Sequence, residues 1–147
     1  MDFLYQEPYP ILKDDTEYKK LTSDFVKVEQ LGDREIVVVD PKGLELLAQE
    51  AMNDVSFMLR SAHLQKLRNI IEDPEATDND RFVAYNLLQN AAVAIERQLP
   101  SCQDTGTAIV VAKKGENVYT GVDDGEWLSK GIFNTYQNKN LRYSQIV

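Results

Sequence analysis

One cysteine and one histidine are all this 147-residue chain carries of the two side chains that most often ligate metals or pair as nucleophile and base. A lone cysteine cannot close an intramolecular disulfide, so nothing points to an oxidising compartment. No apolar run approaches the ~20 residues that a membrane helix needs. The acidic N-terminus lacks the basic-then-apolar order of a secretory signal. Positive charge is also short: 16 Lys and Arg against 24 Asp and Glu leave a net charge of −8. Nucleic acid requires a basic face, so that balance argues against it as a partner. There is no internal repeat, no low-complexity tract and no linker. The default reading is a cytoplasmic protein with no membrane or nucleic-acid partner.

What is present fits one domain. Apolar residues make up 43% and charged residues 27%, an ordinary globular balance, and the length suffices for one core. Residues 1–20 show neither helical nor strand period and read as an extended arm. Its aromatics Phe3, Tyr5, Tyr9 and Tyr18 are expected to pack on the body. Residues 25–29 alternate, residues 35–39 are β-branched, and Gly32-Asp33 between them predicts a hairpin. Asp40-Pro41 is a helix start, and apolar residues from Leu44 to Met58 recur at helical spacing to about Leu59. Leu64, Leu67, Ile70 and Ile71 mark a second helix ending before Pro74. A third, from about Asn79 to Leu99, is apolar nearly all round and is expected to be the buried central helix. A strand over 107–112, the polar turn Lys113-Lys114-Gly115-Glu116, a strand over 118–121, a helix over about 125–139 capped by Asp123 and Glu126, and a strand over 141–145 complete the reading. The fold class is α/β: a mixed sheet with packed helices, an N-terminal extended arm and a β-hairpin.

The chemistry concentrates in Leu99-Pro100-Ser101-Cys102-Gln103-Asp104-Thr105-Gly106-Thr107-Ala108. A thiol, an amide, a carboxylate and a hydroxyl stand in consecutive positions behind a helix-ending proline. Polar groups that dense are costly to bury unpartnered, so the loop meets solvent or a ligand. Cys102 alone also reads as a small buried hydrophobe. A nucleophile would need a base, and His63 lies on a different helix, where it has a structural place. A cluster ligand would need further thiolates, which this chain does not contain. Asp104-Thr105-Gly106 also reads as plain turn chemistry, and Arg142 as an exposed strand arginine. Gly115 and Gly121 do not sit in a strand–Gly-rich–helix frame and make no phosphate loop.

The motif Cys102-Gln103-Asp104-Thr105-Gly106-Thr107-Ala108 resembles the corresponding loop of the class I, iron–sulfur-dependent fumarate hydratases. Asn140-Leu141-Arg142-Tyr143-Ser144-Gln145 matches a second family segment. The opening Asp2-Phe3-Leu4-Tyr5-Gln6-Glu7-Pro8-Tyr9-Pro10 and the stretch Asp73-Pro74-Glu75-Ala76-Thr77-Asp78-Asn79-Asp80-Arg81-Phe82 are similar at lower specificity. Essentially the whole chain can be placed on the family, whose members continue for several hundred residues beyond Val147. The resemblance therefore implies an N-terminal part of an iron–sulfur hydratase domain.

It also implies roles. Cys102 is expected to be one of three thiolates on a [4Fe–4S] cluster, the other two lying in the missing region. One iron without a protein ligand is then a Lewis acid for reversible hydration of fumarate to malate. Gln103 and Asp104 match substrate-contacting positions, with Asp104 suited to proton transfer once burial raises its pKa. Arg142 matches a substrate-carboxylate ligand whose planar fork suits a diacid, and Ser144 and Gln145 are weaker candidates nearby. Because the chain is acidic overall, a dicarboxylate site must be locally basic. The partners implied are the small dicarboxylate, the remainder of the same enzyme and a second copy in a homodimer. A related hydroxy-diacid dehydratase, such as one for tartrate, and a non-catalytic binding or assembly module are the rival readings. On this view the chain is inactive alone.

Overall fold

The computed structural model describes residues 3–8, 10, 17–102, 108–139 and 141. Among these, β1 (Val26–Leu31) and β2 (Arg34–Val39) form an antiparallel hairpin, with Val26 opposite Val39 and Leu31 opposite Arg34. Gly32 takes the first of the two loop positions at φ 62°, a sign that an L side chain rarely adopts and that a type II′ turn requires there. A short β3 (Val118–Tyr119) pairs in parallel with Val37 and Val38, so β2 is the middle strand of a mixed sheet.

Four helices accompany the sheet among the described residues: α1 (Pro41–Phe57), α2 (Ser61–Glu72), α3 (Asp78–Ala94) and α4 (Asp124–Asn138). Each start except that of α2 is capped by a side chain. Asp40 accepts from the Lys42 amide at 2.8 Å with Pro41 at the first helical position. Thr77 and Asp80 form a reciprocal capping box on α3, and the Thr77 hydrogen bonds hold the Asp80 carboxyl below the usual carboxylate range. Asp123 accepts from the Gly125 and Glu126 amides at the head of α4.

The helices pack as two pairs, α1 with α4 and α2 with α3. Where α1 and α4 cross, Gly131 is buried, and a Cβ there would lie 2.3 Å from the Glu45 carbonyl oxygen and 2.8 Å from the Ala48 Cβ. Polar bonds fasten the same crossing: Asn134 Nδ2 donates to Glu45 Oε1 at 2.8 Å, Lys130 pairs with Glu45 at 2.9 Å, and Thr135 Oγ1 donates to the Gln49 carbonyl at 3.2 Å. Among the described residues the buried apolar set is small: Ala48, Phe57, Leu67, Ala84, Ala94 and Leu141.

The mixed α/β architecture and the hairpin are as the sequence reading has them, but four expectations need correction. First, α3 is not a buried central helix. Ala84 and Ala94 are buried, yet Phe82 is 67% exposed, and Val83, Tyr85, Leu87 and Val93 are exposed as well. An apolar surface all round becomes a buried helix only where partners exist on every side. Here α2 covers one side of α3. Second, α3 stops at Ala94 rather than Leu99, and Arg97 turns into the left-handed region at φ 61°. Third, residues 108–112 are not a strand; Ile109, Val110 and Val111 are exposed, and the far side of β2 is taken by Val118 and Tyr119. Among the described residues this β-branched run has no partner strand, and without one it gains little from its propensity. Residue 107 and the expected strand over 142–145 lie outside the described residues. Fourth, the aromatics of the arm are not buried: Phe3, Tyr5 and Tyr18 are all 70% exposed or more, while Tyr9 is outside the described residues.

Candidate functional site

The chain leaves α3 through residues 95–102 and arrives at Cys102, whose free thiol-bearing residue is exposed. Its neighbour Ser101 is buried and binds the end of another helix. The Ser101 amide and the Ser101 hydroxyl both donate to the Ser56 carbonyl, at 2.8 Å and 3.0 Å. That carbonyl belongs to the last turn of α1, where a helix leaves its carbonyls without internal partners. Ser101 therefore supplies from a distant loop part of what a helix C-terminus needs. The Cys102 amide donates to Asn90 Oδ1 at 2.7 Å, across to α3. Arg97 adds a third tie, its guanidinium donating to Asp54 Oδ1 at 2.8 Å and lying 3.7 Å from the Met58 sulfur.

A loop built this way presents one thiol to solvent on a backbone fastened to α1 and α3. Gln103, Asp104 and Arg142, the other expected site residues, lie outside the described residues, as do Ser144 and Gln145. Among the described residues no group of three or more His, Cys, Asp and Glu converges as a metal site. Cys102 fits a thiolate-held cluster in donor type and exposure, as one ligand among several. His63 is exposed in the first turn of α2, where its amide donates to the Arg60 carbonyl at 2.9 Å.

Elsewhere the chain offers a groove of about 530 Å³ between α2 and α3, lined by Leu67, Ile70, Val83, Ala84 and Leu87 under a rim of Asp73, Glu75 and Asp80. An acidic rim repels a dicarboxylate, and Cys102 is not among the lining residues. The lysines read from sequence as a polar turn do more than that. Lys113 pairs with Glu7, while Lys114 and the Thr120 hydroxyl both bond Asp124 at the start of α4. The Lys114 hydrogen bond first, and the Thr120 bond second, hold the Asp124 carboxyl below the usual carboxylate range.

Sequence reasoning missed Asn90, Arg97 and Ser101 as supports of the cysteine loop. One signal was available for Asn90, a weak helix former amid Leu87-Leu88-Gln89-Asn90-Ala91-Ala92. Nothing local marks Arg97 for a left-handed backbone.

Comparison with known proteins agrees with the motif. Residues 45–147 match the family described as Fumarate hydratase (Fumerase). The chain is 54% identical over 143 residues to "Fumarate hydratase class I, anaerobic" of Escherichia coli (strain K12), covering 97% of this chain and 26% of that protein. It is 52% identical to "Fumarate hydratase class I, aerobic" of Salmonella typhimurium, over 97% of this chain and 25% of that protein. Against "Fumarate hydratase 1, mitochondrial" of Leishmania major it is 49% identical over 135 residues, 90% of this chain and 25% of that one. The chain thus spans about a quarter of the length of these relatives, and it belongs to the fumarate hydratase (Fumerase) family.

Proposed function

We propose that this chain is the N-terminal, cluster-bearing portion of a class I hydro-lyase that interconverts fumarate and malate. The observation that carries the reading is the exposed Cys102, tethered to α3 beside a Ser101 tethered to α1, inside a sequence about half identical to class I enzymes. The relatives' names favour fumarate over tartrate as substrate and disfavour a bystander cysteine in a non-catalytic module. A second copy of the polypeptide completes the proposed homodimer.

Cys102 would hold the cluster as one of three thiolates, with the others supplied by the rest of the polypeptide. When bound, a [4Fe–4S] cluster with one iron free of protein ligands supplies a Lewis acid for the hydroxyl and carboxylate of the substrate. The residues of this chain then divide the remaining work. Arg142 neutralises and orients a carboxylate through two parallel hydrogen bonds, which supplies the local positive charge that an acidic chain otherwise lacks. Gln103 offers an amide N–H to a carboxylate and a carbonyl to a hydroxyl. Asp104 moves the proton, provided that enclosure by the complete polypeptide raises its pKa towards neutrality. The same enclosure would cover the apolar surface of α3.

The test is Cys102→Ser in the full-length polypeptide. Iron, inorganic sulfide and hydratase activity should be lost together, while circular dichroism stays that of the wild type, because the side chain is exposed. A serine variant with wild-type turnover would return Cys102 to a bystander. This chain alone, reconstituted anaerobically and desalted, should retain negligible iron; retention of about four irons per chain would overturn the ligand count.

A further inference from the structure

Asn90 sits one turn before the end of α3, half-buried, and its Oδ1 accepts the amide of the residue that carries the thiol. Asparagine is a poor choice for a helix interior on propensity alone. Its oxygen here is committed to a residue twelve positions further along the chain rather than to its own helix. The bond grips the backbone nitrogen adjacent to the Cys102 Cα, so it limits the backbone that the Cβ–Sγ arm springs from. Ser101, the preceding residue, is pinned independently to the Ser56 carbonyl. With both amides held, the peptide plane leading into the Cys102 Cα is anchored to two helices.

We propose that Asn90 is a positioning residue for the Cys102 thiolate, holding it in the orientation in which it ligates the cluster. The assignment rests on the cluster reading above. Asn90 acts by its acceptor oxygen, as the outer partners of metal ligands commonly do, and removal of such partners costs about 10- to 100-fold in metal affinity.

The experiment compares Asn90→Ala and Asn90→Asp with wild type in the full-length polypeptide, purified anaerobically. Amide hydrogen exchange is measured at Cys102 and Ser101 in the cluster-free protein. Iron release to a ferrous chelator and the visible absorption of the cluster are followed in the loaded one. Asn90→Ala should lose protection at the Cys102 amide while the Ser101 amide stays protected, and its iron should leave roughly 10- to 100-fold faster. Asn90→Asp retains an acceptor oxygen in the same place and should restore protection at Cys102. Unchanged exchange at Cys102 in Asn90→Ala would overturn the proposal. So would faster exchange with wild-type iron release, or an Asp variant as unprotected as the Ala variant. A wild-type protein that binds no iron yet keeps Cys102 protected through Asn90 would defeat the cluster reading, and with it the ligand role, leaving Asn90 the fastener of a free thiol.

Discussion

The roles proposed for Asp104 and Arg142 can each be tested by a substitution that spares shape and removes the proposed chemistry. Asp104→Asn keeps most turn hydrogen bonding but cannot transfer a proton, so kcat of the full-length enzyme should fall by roughly 10²–10⁴-fold with cluster absorption unchanged. Near-normal kcat with reduced stability would make the residue a turn former. Arg142→Lys retains charge and loses the planar fork and one hydrogen bond. A hydrogen bond to a charged group is worth roughly 1.5–3 kcal/mol, which predicts a fall in kcat/KM of about 10- to 150-fold. Kinetics within twofold of wild type would remove Arg142 from the site. Cys102 was legible because it stands in a contiguous motif; Gln103, Asp104 and Arg142, expected beside it from the same two motifs, lie outside the described residues. Asn90 was not legible, because its role depends on a contact between residues twelve apart that no short pattern encodes. Arg97 was hidden for a different reason: its left-handed φ runs against the ordinary preference of its own side chain, and its partner Asp54 lies on another helix.

At the scale of elements, the α1–α4 crossing tolerates no side chain at Gly131. Gly131→Ala would gain up to about 1 kcal/mol of helix propensity. The new Cβ would meet backbone at 2.3 Å, which cannot rotate away, and overpacking of this kind costs roughly 1–3 kcal/mol. The net effect should be a Tm several degrees lower; an unchanged or raised Tm would show that the helices can slide apart freely. The start of α4 is sensitive to acid. Asp124 has its pKa lowered in the folded state, by Lys114 first and Thr120 second, so it stabilises the fold above the ordinary carboxylate range. That contribution disappears as pH falls through the lowered folded value. Asp124→Asn should therefore be less stable than wild type at neutral pH, with the two converging as thermal melts are repeated towards about pH 2. Parallel curves would deny the linkage. Two helix starts were readable because Asp40 and Asp123 cap by local chemistry, and the hairpin because Gly32 fits its turn. Residues 108–112 misled because strand formation is decided by a distant partner, and α3 because sequence shows apolarity but not what lies against it.

For the molecule as a whole, the exposed apolar surface of α3 predicts opposite effects of one change in two contexts. Phe82→Gln in this chain alone should reduce self-association in sedimentation, because Phe82 is 67% exposed. In the full-length polypeptide, where we propose that α3 is covered, the same change should lower stability by roughly 3–5 kcal/mol, the range for truncating a buried phenylalanine. No loss there would mean that the remainder of the enzyme leaves α3 uncovered. The hydrogen bonds from Ser101 to the end of α1 carry a different consequence. They make the last turn of α1 and the cysteine loop two ends of one thermodynamic lever. Whatever holds Ser101 in place should, by reciprocity, also suppress fraying of α1, and whatever frays α1 should loosen Ser101 by the same free energy. Ordering of the loop at Ser101 should therefore be felt in the exchange of the Met58 amide, which closes α1 on the Asp54 carbonyl.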